Sequence, residues 1–137
     1  MTPEKPSRRQ AWVRAALLLG AVYFLIGRVF ALPSDHVGGW RLAAWVVSGA
    51  VFAAHISYEH FRLRNTARPT AWHASVAVAF GAFALALAAN LHDVGSASGY
   101  RPRMLIALVA WPLLTAVPAF VVALVVAAGL GMKRLGV

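Results

Sequence analysis

The chain has 137 residues, of which 61% are hydrophobic and only 12% charged, far from the roughly 45–50% apolar and about 25% charged composition of soluble domains. Its 13 basic residues against 4 acidic ones give a net charge of +9, but they are scattered between apolar runs and form no single basic stripe, which excludes nucleic acid as the partner. The absence of cysteine excludes disulfides, thiolate metal sites and cysteine nucleophiles.

Apolar runs of roughly 20 residues cross a hydrocarbon core about 30 Å thick, and four such runs are present. The spacing predicts a short tail over residues 1–10 and helices over about 11–32, 40–63, 70–92 and 103–131, within a single membrane domain. The expected fold is all-α: an integral membrane antiparallel four-helix bundle with a Pro-kinked fourth helix. In the tail, Arg8 and Arg9 lie beside Arg14, where basic side chains meet anionic lipid headgroups at about 1 kcal/mol each. The first helix carries Gly20, Tyr23 and Gly27 and is stopped by Pro33 and the turn residues "SDHVGG", because proline lacks an amide donor and paired glycines favour a turn.

The second helix brings Ser48, Gly49 and Ala53 as small contact residues and ends in "HISYEHFRLR". His55 and Glu59 are four residues apart and share one helix face, with Arg62 three residues on and Ser48 two turns back. An imidazole and a carboxylate at membrane depth form a candidate proton or ion site, to which Tyr23 and Ser48 could contribute. The same residues also read as structural: Glu59 pairing with Arg62 or Arg14, and His55 needing one carbonyl or hydroxyl partner on a neighbouring helix.

The connection "RNTARPT" offers Pro69 as the opening residue of the third helix. That helix is so rich in alanine that a neighbour can approach on nearly any face, which places it at the bundle centre. It begins with His73, which with His60 or His55 supplies the two imidazoles that a b-type haem would need on opposite sides of its iron. No haem is expected on the leading reading. Asp35, His36, His92 and Asp93 are candidate ligands for a metal ion at the opposite membrane face, without a family-specific spacing. The last connection, "HDVGSASGYRP", has the most room for a binding role. In the fourth helix Pro112 and Pro118 each remove a backbone hydrogen bond, and Thr115 is placed to bond back to a freed carbonyl. Trp12, Trp40 and Trp72 fall at helix ends, as an aromatic belt requires, whereas Trp45 and Trp111 lie deeper, with Tyr23, and are expected to pack against small residues, with the lining of a lipid or isoprenoid groove as the alternative.

No P-loop, dinucleotide fingerprint, nucleophile elbow or zinc-protease helix occurs, so the chain points away from an enzyme. If the N-terminus, the connection after the second helix and the C-terminus share a side, that side holds nine of the 13 basic residues. The positive-inside rule then puts both termini in the cytoplasm and the protein in a cell (inner) membrane. Two function classes follow. One is an accessory or scaffold subunit packing laterally with other membrane subunits or with itself; the other is an oligomeric proton- or cation-handling channel or carrier built on His55 and Glu59. A haem electron-transfer subunit is a further alternative.

Overall fold

The computed structural model describes residues 8–32, 37–94 and 102–134, with side chains over 12–32, 37–92 and 105–132. The described chain forms four helices: α1 (Arg8–Val29), α2 (Val37–Phe61), α3 (Ala67–Val94) and α4 (Pro102–Arg134). The shortest, at 22 residues, exceeds the thickness of a hydrocarbon core at 1.5 Å per residue. All four are long and apolar enough to cross a membrane, which makes this a multi-pass membrane protein.

The helix ends differ from expectation by a turn or less, for local reasons. α1 stops at Val29, and the next residues tighten to three-residue bonds, Ala31 N to Arg28 O at 3.3 Å and Leu32 N to Val29 O at 3.2 Å. The proline that follows Leu32 disfavours helical geometry in the residue before it. α2 stops at Phe61: the amides of Arg62 and Leu63 both reach the Tyr58 carbonyl, at 2.9 and 3.2 Å. Arg64 turns into the left-handed region with φ 53°, a common device for closing a helix. α3 begins at Ala67, and the Thr66 carbonyl accepts from the Thr70 amide at 3.2 Å. Pro69 is therefore the third helical residue instead of the first, a position whose amide also lacks an intrahelical acceptor.

α3 is central: it packs most extensively on α4, next on α1, and also touches α2. Close approach to α1 depends on missing side chains. A methyl group added at Gly20 would lie 2.8 Å from the Phe80 Cβ, and one at Gly81 would lie 2.6 Å from the Tyr23 Cβ. Gly27 seats the Leu85 side chain in the same way. Toward the other neighbours, α3 contributes Ala71 and Ala74 to a buried cluster with Ile56 of α2 and Ala123 and Ala127 of α4. Small residues of this kind let helix backbones come close, which is the main source of attraction between helices in lipid.

α2 is the outlying helix. Its buried residues are His55, Ile56, Glu59 and His60, all in its last two turns, and no residue from Val37 to Ala54 is buried. The expected small contacts fail here: Gly49 has nothing within 4 Å of an added methyl group, Ala53 is exposed and Ser48 is half-buried. Trp45, on the same helix face as Ile56, is 78% exposed, and Trp111 is also exposed, so neither packs against small residues. α2 diverges from α3 and α4 over its first half, and that divergence withdraws the packing surface these residues were expected to meet.

α4 remains helical through Pro112 and Pro118. The carbonyls that these prolines release belong to Leu108 and Leu114. Thr115 bonds elsewhere, to the Trp111 carbonyl at 3.0 Å and the Pro112 carbonyl at 3.1 Å. Beside Pro112, α3 and α4 leave an open groove of about 470 Å³ whose lining, including Phe80, Phe83 and Leu108, is apolar.

Candidate functional site

The polar residues converge at the end of the molecule where α2 meets α3. Helical spacing places His55 one turn before Glu59 on the same face, with His55 Nε2 3.6 Å from Glu59 Oε1. The turn after α2 then doubles back. With Arg64 left-handed, the Asn65 amide reaches the Glu59 carbonyl at 3.1 Å, and the Asn65 side-chain amide donates to Glu59 Oε2. Nearly two turns into α3, His73 points its Nδ1 at the same Oε2, 3.1 Å away. Trp12 of α1 lies flat over the His73 ring, with centroids 4.9 Å apart and planes 7° from parallel. A carboxyl on one helix is thus held by its own helix, by the connection and by α3, while α1 covers the imidazole from the side.

The degree of burial is extreme for such groups. The Glu59 side chain is 1% exposed, that of His55 3% and that of His73 16%. Thr70, one turn before His73, is fully buried. An isolated carboxyl in an apolar interior is costly, and hydrogen bonds to it, here from Asn65 and His73, are the usual remedy. Arg62 and Arg14, the expected ion-pair partners, are both exposed, and the groups that face the Glu59 carboxyl among the described residues are Asn65 and the two histidines.

Several polar atoms in the same region have no hydrogen-bond partner among the described residues: His55 Nδ1, Thr70 Oγ1 and both nitrogens of His60. His60 sits one turn beyond Ile56, on the side of the alanine cluster, and meets the Phe61 ring edge-on at 5.0 Å. Imidazoles with an unused nitrogen are potential ligands or proton carriers. For a haem, the nitrogen left on His73 is Nε2, because Nδ1 faces Glu59.

The other proposed members lie apart. Tyr23 is at the α1–α3 crossing against Gly81, and its buried hydroxyl has no partner among the described residues. Ser48 is half-buried on the diverging part of α2. Of the proposed metal ligands, Asp35 and His36 lie outside the described residues, as does the Asp93 side chain, and His92 is exposed. Among the described residues no group of three His, Cys, Asp or Glu is arranged to hold a metal ion. The connection expected to have room for a binding role, residues 95–101, also lies outside them.

Sequence reasoning paired His55 with Glu59 but overlooked Asn65 and Thr70, and it assigned His73 a haem instead of Glu59. The signal for Asn65 was its position directly after an arginine at the helix end, where a short side-chain amide can close a turn. A scan against protein-family models and searches of curated proteins and of solved structures matched nothing to this chain.

Proposed function

We propose that the protein is a small polytopic subunit of a cell (inner) membrane that packs laterally against another membrane component or a further copy of itself. The observation that carries this reading is the flank of α2, exposed from Val37 to Val47 apart from Ala43 and Ala44. Along it Gly38, Gly39 and Gly49 have open space where a side chain would stand. Such a flank is one that another helix can approach closely.

In this reading the spans alternate in direction, and the contacts support that arrangement. Trp12 meets His73, Gly20 meets Phe80 and Gly27 meets Leu85, so α1 and α3 run together. Trp72 meets Phe120 while Phe83 shares a groove with Leu108, so α4 returns. The fourth span bends at its two prolines, and the termini and the α2–α3 connection face the cytoplasm by the positive-inside rule. A Trp45→Cys variant in native membranes is expected to crosslink into one discrete heavier species, and Ala74→Cys is expected to stay silent. A lone chain in both the crosslinking and native mass spectra would overturn the proposal.

The buried Glu59 centre favours a second reading, in which an oligomer of the chain handles protons or cations. A carboxyl between two imidazoles inside a membrane protein is equipped to take up and release a proton. The experiment is flux in proteoliposomes: Glu59→Gln and His55→Ala are expected to abolish it in folded protein, and unchanged flux in both eliminates this reading.

A further inference from the structure

We propose that His73 is the port through which Glu59 exchanges protons with the aqueous phase, on the membrane face that carries the α2–α3 connection. This rests on the proton-handling reading and adds the route and its side. Glu59 is itself 1% exposed, so a proton must reach it through a neighbour. Asn65 is an amide and neither gains nor loses protons in the neutral range. That leaves two imidazoles, and two measures separate them. His73 Nδ1 is 3.1 Å from the carboxyl, within hydrogen-bond length, whereas His55 Nε2 is 3.6 Å away, beyond it. The His73 side chain is 16% exposed and that of His55 3%.

An imidazole has two nitrogens and passes a proton by taking one and releasing another. In the inward step, Nε2 of neutral His73 accepts a proton from hydronium, which leaves as water, while Nδ1 releases its own to Oε2 of the Glu59 carboxylate. The products are the protonated acid and the Nε2–H tautomer of a still-neutral imidazole, so charge and protons balance; the outward step is the reverse. Trp12 stacks on the ring and keeps its plane fixed, so that Nδ1 stays aimed at the carboxyl. The remaining charged groups at this end among the described residues, Arg14 of α1, Arg62 and Arg64 of the connection and Arg68 of α3, are exposed. On the α4 side, the cluster residues Ala123 and Ala127 and the adjoining Leu130 are apolar, and the nearby imidazole there, His60, is buried and has no hydrogen-bond partner among the described residues. His55, with Nδ1 buried and unpartnered among the described residues, is the inner end of the chain of groups.

The test follows the carboxyl infrared band of the full-length protein in phosphatidylglycerol-containing vesicles after a jump in external pH, with the Glu59 band assigned by its loss in Glu59→Gln. His73→Asn keeps an amide N–H where Nδ1 stands but cannot relay. It is expected to slow the Glu59 response by about 100-fold, the usual contribution of a positioned proton-transfer group, and by far more than His55→Asn does. If His73→Asn does not fold, His73→Gln makes the same comparison. A Glu59 band that responds at the wild-type rate without His73, or that slows equally without His55, overturns the port and leaves the proton-handling reading standing. A Glu59 band that never changes from mildly acidic to mildly alkaline pH overturns both.

Discussion

Glu59 and His73, fourteen positions apart and on different helices, meet at 3.1 Å through Oε2 and Nδ1, and this contact fastens the buried end of α2 to α3. Because the rest of α2 contributes no buried residue before His55, the polar clasp bears an unusual share of that helix's attachment.

Replacing Glu59 with leucine leaves the donors of Asn65 and His73 facing an apolar side chain. Breaking a buried pair in this way costs about 3–5 kcal/mol, whereas Glu59→Gln keeps an acceptor oxygen and should cost about 1–3 kcal/mol. Denaturant titration in mild detergent measures both. Equal stability of the leucine variant and the parent protein would show that the clasp contributes nothing to holding α2.

Gly81 and Gly49 make a matched pair of positions. A methyl group at Gly81 would lie 2.6 Å from the Tyr23 Cβ and 3.1 Å from the Gly20 carbonyl oxygen, so Gly81→Ala has to push α1 off α3 at a cost of about 1–3 kcal/mol. Gly49 has open space around it, and Gly49→Ala should be neutral or add up to about 1 kcal/mol through reduced backbone freedom. Thermal melting of the two variants side by side checks the α1–α3 contact. A harmless alanine at position 81 contradicts it.

Tyr23→Phe should not destabilise the protein, although the residue is mostly enclosed. Its hydroxyl is buried without a partner among the described residues, and removing an unsatisfied polar group is neutral or favourable. A loss of more than about 1 kcal/mol would mean that the hydroxyl makes a normal hydrogen bond in the membrane.

The Trp12–His73 stack should appear as coupling between the two positions. A double-mutant cycle with Trp12→Ala and His73→Ala is expected to give an interaction energy of about 1 kcal/mol, in the range of aromatic pairs. Additive effects would reduce the stack to mere proximity.

Local rules made much of this molecule readable from its residues. Four apolar runs of sufficient length specify four spans, because span length depends only on bilayer thickness and helical rise. The asymmetry of the basic residues supplies the expected orientation, and the four-residue spacing places His55 with Glu59 whatever surrounds them. The alanine content of α3 marked it as the helix best able to accept neighbours, and it is central. The tertiary structure alone decided which side of each helix is buried. In a soluble protein the apolar stripe identifies the inner face, but a membrane helix is apolar all round and its periodicity identifies nothing. Ser48 and Gly49 therefore looked like contacts although α2 diverges there, and Trp45 looked enclosed although it is open. The same gap hid the partner of Glu59: His73 reaches the carboxyl because the turn at Arg64 folds α3 back onto the end of α2, and Trp12 reaches His73 because α1 lies along α3 at Gly20 and Gly81, juxtapositions set by packing between separate helices and written in no single stretch of the chain.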